Sequence, residues 1–327
     1  MHRKKNTGKK SISLGIKFYF DFKICFRYNL HEKQGINMKD IKMSVVVPMY
    51  NAEKFISKTL EHLIHQTYDN LEFIIVDDGS SDSCADIVKT YAKKDKRIKL
   101  IKQKNGGVSI ASNNGLAAAT GDYVHFHDHD DFVNLDYYEK MANAANITGA
   151  DILCGEVNQP DYNFPIFDSI EICTSLRDKI EKTRANKFNP AWRYIYKTDF
   201  LRQNNILFEP SVLGAQDLIF SKSAIILANT VSTVPGARYN VVNTPTALGK
   251  NKNKIKSSVS KETILAFERY NNFVKEHGAT ELLSEPEHPY HQNKYQIFNK
   301  TFFRTDIYTR KKKYYLFGMN ICTKHLY

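Results

Sequence analysis

The sequence of 327 residues predicts an α/β fold whose mainly parallel central sheet is covered by helices on both faces. Three observations predict it. Between Ser44 and His127, short apolar runs of strand length alternate with segments of helical periodicity. The apolar runs are continuous, as expected of parallel strands buried on both faces. A composition of 42% hydrophobic and 25% charged residues is that of a packed globular chain and excludes wholesale disorder.

The elements follow in order. Ser44–Pro48 (SVVVP) reads as a first buried strand. Ala52–Gln66 reads as a helix with Phe55, Ile56, Leu60, Leu63 and Ile64 on one face. Leu71–Asp77 is a second buried strand, followed by the turn Asp78-Gly79-Ser80-Ser81 and a helix capped by Asp82. Arg97–Ile101, Val108–Ala119 and Asp122–His127 read as strand, helix and strand. Strands alternating with helices imply parallel pairing.

The formal charge of +12 comes from 47 Lys and Arg against 35 Asp and Glu. Such a balance invites nucleic acid, an anionic membrane or a phosphate-rich ligand. Its location narrows the choice: residues 1–42 carry +8, residues 304–327 carry +5, and the body between them carries −1. A nucleic-acid binder usually carries its positive stripe on the folded domain. Five scattered cysteines without a CxxC pair give neither a disulfide scaffold nor a zinc site and fit a reducing compartment. No apolar run reaches the eighteen residues of a bilayer span. Residues 1–42 form a basic leader in which Ile12, Leu14, Ile16, Phe18, Phe20, Phe22, Ile24, Phe26, Tyr28 and Leu30 alternate with mostly polar residues. The expectation is that the working protein starts at Met38 or Met43; a start at Met43 lowers the charge to +4.

In open parallel sheets, ligands bind at the carboxyl ends of the strands. Those ends carry Met49-Tyr50-Asn51, then Asp77-Asp78-Gly79-Ser80, then Asp128-His129-Asp130-Asp131. Asp-Asp-Gly-Ser also suits an ordinary turn, and the later acids a solvated loop. Two carboxylate clusters on one sheet edge repel each other without a cation. Asp at positions i and i+2 supplies hard oxygen ligands to Mg²⁺ or Mn²⁺, which also bind substrate phosphates. A nucleotide diphosphate held through such a metal is the inference.

These residues resemble a known family. VVVPMYN, Gln66-Thr67-Tyr68, FIIVDDGSSD, NGGVSIASNNGLAAATGDY and FHDHDDF are similar, in that order, to the N-terminal half of family 2 glycosyltransferases with the GT-A fold, across residues 43–135. A weaker likeness runs from 189 to 227 through AWRYIYKTDFL and Gln216-Asp217-Leu218-Ile219-Phe220, and KKKYYLFGMNI resembles a segment near the end of bacterial surface-polysaccharide and lipooligosaccharide enzymes. The resemblance implies a catalytic domain at 43–245 and a helical, basic C-terminal extension at 246–327. It implies that Pro48, Tyr50, Asn51 and Glu53 border the nucleotide and that Asp78 accepts the base N3–H, favouring uracil. Asp128 and Asp130 would be the ends of a DxD motif, Asp128 near ribose and metal and Asp130 the principal ligand of Mn²⁺ or Mg²⁺, with His129 touching the nucleotide. Asp217 matches the general base, and Trp192 and Arg193 suit an acceptor-sugar wall.

Several positions keep a second reading. Gln216 stands where Glu is commoner, and Asp217 also suits a cap of the helix Leu218–Leu227. The aromatic spacing from Trp192 to Tyr196 also fits a buried helix face, and His125, His127 and His129 also fit packing roles. Lys250, Lys252, Lys254 and Lys256 suit a loop over the diphosphate or a solvated charge run.

The expected function is therefore an inverting, metal-dependent transfer of a hexose or N-acetylhexosamine from a UDP-sugar to a glycan or lipid-linked glycan of lipooligosaccharide, capsule or another surface polysaccharide. The expected place is cytoplasmic, with Arg310–Phe317 touching anionic lipid at the inner face of the membrane. The alternatives are a nucleotide-sugar-handling nucleotidyltransferase, a dinucleotide-dependent oxidoreductase, or a basic module that binds anionic lipid or nucleic acid without catalysis. The chain lacks GxGxxG after its first strand and lacks GxxxxGK[ST], which disfavours dinucleotide and P-loop chemistry.

Overall fold

A computed structural model describes residues 40–159, 164–186, 190–212, 216–242 and 261–279, and strand segments within 291–325. The alternating leader, the lysines from Lys250 to Lys256, and Arg310 and Phe317 lie outside the described residues.

The chain runs β1 (Met43–Met49), α1 (Ile56–Ile64), β2 (Leu71–Asp77), α2 (Cys84–Lys94), β3 (Ile98–Lys102), α3 (Val108–Ala118) and β4 (Tyr123–Phe126). It continues through β5 (Phe132–Val133), α4 (Tyr137–Thr148), β6 (Ile152–Asn158), β7 (Ile172–Cys173), α5 (Leu176–Thr183), a 3₁₀ turn (Ala191–Arg193) and β8 (Tyr194–Lys197). α6 (Thr198–Gln203), α7 (Gln216–Leu227), β9 (Val231–Asn240) and α8 (Lys261–Glu276) follow. The main sheet has the order β3-β2-β1-β4-β8-β6-β9-β5, with β7 beside β9. β1 pairs in parallel with β2 and β4, and β2 with β3. β8 lies antiparallel between β4 and β6, and β6 pairs in parallel with β9.

Every residue of β1 and β2 is buried, which is why their middles, VVVPM and FIIV, run apolar without alternation, while the buried Ser44 donates to Glu72. Val45 and Val47 join one core cluster with Ile56, Leu60, Leu63 and Tyr138. Val46 points to the other cluster, with Ala111, Leu116, Phe220 and Ala224. Strand alternation thus feeds two layers of helices. Gly115 lets α3 lie close on β1, because a Cβ there would overlap the Val46 side chain.

Three expectations are corrected. The first helix begins at Ile56, not Ala52. The amides that would start it are used elsewhere: Asn51 N donates to Ser80 Oγ (3.0 Å) and Glu53 N to Asp82 Oδ2 (2.9 Å), with Asn51 at φ 49°. The stretch from Trp192 to Tyr196 is a 3₁₀ turn leading into a strand, not a helix face. The C-terminal extension opens with the helix α8 but is not helical throughout. β10 (His291–Ile297), β11 (Lys300–Ile307), β12 (Lys311–Leu316) and β13 (Met319–His325) form a four-stranded antiparallel sheet.

Candidate active site

The carboxyl ends of β1, β2 and β4 lie side by side, so their loops form one sheet edge. Pro48 is buried at the end of β1, and Tyr50, 48% exposed, stands just beyond it. Asn51 bridges to the next loop, accepting from Ser81 N at 2.9 Å, while the Glu53 side chain is exposed. Asp77 is fully buried and accepts from Ser80 N (2.9 Å), which tightens the turn that Gly79 completes at φ 75°. A Cβ at Gly79 would sit 2.8 Å from Asn105 N.

Asp78 organises the neighbouring loop. Its Oδ1 accepts from Gln103 Nε2 (2.8 Å) and Gly106 N (2.7 Å), and its Oδ2 from Gly107 N (2.9 Å). A carboxylate has about four lone-pair sites, so one remains after three donors.

After β4 the ladder extends one residue further, with His127 N donating to Val46 O at 2.8 Å. The acids follow. Asp131 is buried, and its Oδ1 accepts from Val242 N at 2.7 Å. Burial raises the Asp131 carboxyl above its usual range, and the Asp130 charge adds to the rise. Asp128 is raised well above its usual range by burial and then by the charges of Asp131, Asp217 and Asp130. The loop is pinned by His129, whose carbonyl accepts from Thr59 Oγ1 (2.5 Å) and whose ring bonds the Pro48 backbone. Burial lowers the pKa of His129 despite the nearby Asp130.

Asp217 enters from the far side, in the first turn of α7. It shares a narrow cleft with Pro48, Val108, His127, Asp128, Trp192 and Gln216. Burial pushes its carboxyl up to about 6, against the pull of the Ala191 N–H. Lying within the helix, Asp217 is not its cap. Trp192 also lines the cleft and stacks on Tyr239, with centroids 4.5 Å apart at 18°.

Arg193 corrects an expectation. It is fully buried, donates through Nε to Gly155 O (3.3 Å), and lies 5.3 Å from the Phe164 ring and 5.5 Å from the Tyr194 ring. A guanidinium enclosed this way holds the core and cannot form a wall for an acceptor. His125 is likewise structural: its nitrogens lie 2.8 Å from Tyr138 OH and 2.7 Å from Trp192 O, and burial takes its pKa down to about 4.

Sequence reasoning missed Asp131 and His127 as members of the site. Asp131 was visible as the last acid of HDHDD, and His127 as one of three histidines that alternate beside the acids, a pattern that also fits packing.

Among the described residues, no three His, Cys, Asp or Glu side chains converge as a preformed metal cage. Mg²⁺ and similar ions need only one or two carboxylates where substrate phosphates and water complete the shell. Asp128 and Asp130 fit that donor set, and the raised acids beside them mark negative charge that a cation would relieve.

The model for Glycosyl transferase family 2 matches residues 44–206, which span β1 to the end of α6 and include both strand-end acid clusters. The chain belongs to glycosyl transferase family 2. Among relatives, it is 33% identical over 214 residues to the uncharacterized glycosyltransferase EpsJ of Bacillus subtilis (strain 168), covering 63% of this chain and 62% of EpsJ. It is 32% identical over 211 residues to the putative glycosyltransferase EpsH of the same organism, covering 62% of this chain and 61% of EpsH. The chain thus spans less than two thirds of the length of these relatives. The crystal structure of S. aureus TarS 1-349 in complex with UDP-GlcNAc matches with a TM-score of 0.64 at 24% identity, covering 74% of this chain and 70% of that one. The fold of this family 2 domain is therefore that of TarS 1-349. No helix among its described residues is long and apolar enough to cross a membrane.

Proposed function

We propose that this family 2 domain transfers a hexose or N-acetylhexosamine from a UDP-sugar to a glycan acceptor of a bacterial surface polysaccharide, with inversion and with help from Mn²⁺ or Mg²⁺. One observation carries the reading: Asp217 faces Asp128 across a single cleft, and burial raises the pKa of both. TarS, crystallised with UDP-GlcNAc, holds a donor of the proposed class on the same fold.

The residues divide the work. Pro48, Tyr50, Asn51 and Glu53 border the nucleotide, and the free lone pair of Asp78 takes the base N3–H. Asp130, with Asp128, would hold the cation, and His129 positions their loop through Pro48 and Thr59. A divalent cation there supplies Lewis-acid stabilisation to a diphosphate leaving group. Asp217 accepts the proton of the acceptor hydroxyl as the new C–O bond forms, and a carboxyl titrating near 6 is ionised yet basic at neutral pH. A single in-line displacement from an α-linked UDP-sugar gives a β-linkage. Trp192 offers an aromatic face to the apolar side of a sugar ring. The strand β12, rich in lysine and tyrosine, is assigned a weak hold on anionic lipid near a lipid-linked acceptor.

The test is a panel of UDP-glucose, UDP-galactose and UDP-N-acetylglucosamine with Mn²⁺ or Mg²⁺, run on wild type, Asp130→Asn and Asp217→Asn. Cation-dependent release of UDP is expected from at least one donor, lost in both variants. Absence of turnover with every nucleotide-sugar, in protein that is folded, would sink the reading.

A further inference from the structure

The acid loop after β4 is held at both ends by one buried side chain that the roles above do not use. Tyr239 is fully buried on β9, opposite Val133 of β5, the strand into which that loop runs. Its hydroxyl accepts from Asp128 N at 3.2 Å and donates to the Asp131 carboxylate. A phenol has one hydrogen to give and lone pairs to receive, so it serves both residues at once. Asp131 is held a second time from just past the same strand, where Val242 N donates to its Oδ1 (2.7 Å). Asp131 N closes the loop onto Asp128 O at 3.4 Å. Asp130 stands between the two clasped residues.

Charge explains why such a clasp is needed. Asp128, Asp130 and Asp131 are crowded, and like charges push a loop open when no cation lies among them. A restraint that keeps Asp130 in place before the cation arrives removes the cost of ordering the loop on binding. Packing alone does not account for the hydroxyl. The Tyr239 ring stacks on Trp192, with centroids 4.5 Å apart, and its centroid lies 5.2 Å from that of His127; a phenylalanine would make both contacts. What only a tyrosine adds is a bond to each end of the loop. Buried hydrogen bonds of this kind are costly to break, because the partners are left unsatisfied.

We propose that Tyr239 is a positioning residue: its hydroxyl clasps the two ends of the loop 128–131 and holds Asp130 ready for a divalent cation, while its ring carries any shift of that loop to Trp192. The proposal rests on the cation role given to Asp130 above. It adds a residue that touches neither substrate nor metal.

The experiment measures Mn²⁺ and Mg²⁺ affinity by calorimetry, with and without UDP, on wild type and Tyr239→Phe. In parallel, the emission of Trp192, the single tryptophan of the chain, is followed during a Mg²⁺ titration with UDP present. Tyr239→Phe keeps the ring, so its emission maximum without cation should match that of wild type. Its Mn²⁺ affinity should fall about tenfold, because the loop must then be ordered at the moment of binding. In transfer assays the loss should appear in the KM for Mn²⁺ and not in kcat. A tyrosine that serves packing alone would, on losing its hydroxyl, lower the thermal midpoint and leave Mn²⁺ affinity unchanged; that result overturns the proposal. In wild type, Mg²⁺ should shift the Trp192 emission, and the shift at saturation should be smaller in Tyr239→Phe, where the loop no longer holds the ring. Should Tyr239→Phe not fold, the wild-type titration decides alone: a shift that follows cation occupancy supports the clasp, and binding seen by calorimetry with no change in emission overturns it. A folded wild type that binds neither cation, with or without UDP, overturns the cation reading itself, whereas cation binding of equal strength in Tyr239→Phe overturns only the clasp.

Discussion

The two ends of the central sheet both carry buried acids, and they treat them in opposite ways. At the amino end, Glu72 is 2% exposed. It accepts from Ser44 Oγ (2.6 Å), Thr120 N (2.6 Å), Thr120 Oγ1 (2.8 Å) and Lys99 Nζ (2.7 Å). Burial works to raise its pKa, but these donors outweigh burial and bring it down to about 2. At the carboxyl end, burial raises Asp128, Asp131 and Asp217, and at Asp128 the neighbouring negative charges add to the effect. Burial is common to both ends; the donors differ. An acid whose lone pairs are filled by its own protein is part of the scaffold. Acids crowded together with their charge uncompensated are stable only as a receptor for something positive.

The comparison breaks most visibly at Asp217. Replacing it by Asn should lower transfer about 10³-fold, the usual worth of a general base, with UDP affinity unchanged by calorimetry. In wild type, kcat should fall as pH drops below about 6, because the carboxyl must be ionised to take a proton. A rate independent of pH between 5 and 7 would remove Asp217 from that role.

Next in size is Glu72→Ala, which strands several buried donors. It should lose about 2–4 kcal/mol of unfolding free energy in urea with kcat unchanged. The folded-state pKa of Glu72 is depressed to about 2 from 4.5, so its contribution is complete above about pH 4.5 and is lost as pH falls toward 2. Denaturation midpoints across that window should therefore fall with acid in wild type and flatten in the variant.

Asp128→Asn should do the opposite of Glu72→Ala. Removing one of several crowded charges is expected to raise stability in cation-free buffer by about 1–2 kcal/mol while abolishing transfer. Adding Mn²⁺ should raise the thermal midpoint of wild type and not that of Asp130→Asn. The smallest effect belongs to Lys99→Met: Lys99 is half exposed, and Ser44 and Thr120 still hold Glu72, so the loss should stay under about 1 kcal/mol.

Much of this was legible along the chain. β1 and β2 announce themselves by the apolar runs VVVPM and FIIV, because both of their faces are covered. The acids after them are legible because a parallel sheet puts every such loop on one edge. β8 was not legible. Its four residues pair with β4 and β6, more than 40 residues away from the latter's start and farther from β4, and no local periodicity records a partner that distant. Arg193 misled for a related reason, since a charged residue beside aromatics reads as surface until Phe164 and Gly155 O are seen to enclose it.

The +12 charge of the whole chain also looked like a clue to phosphate binding, yet among the described residues the cleft is lined by Asp128 and Asp217 and by no lysine or arginine. By itself the sequence determined the order of the first four strands and the three helices between them, the family, and which loops hold acids, because strand burial and turn chemistry are written in neighbouring residues. Only the tertiary structure decided which acids are satisfied and which arginine is locked in the core. Those properties depend on desolvation and on donors brought from distant segments, and no stretch of sequence contains them.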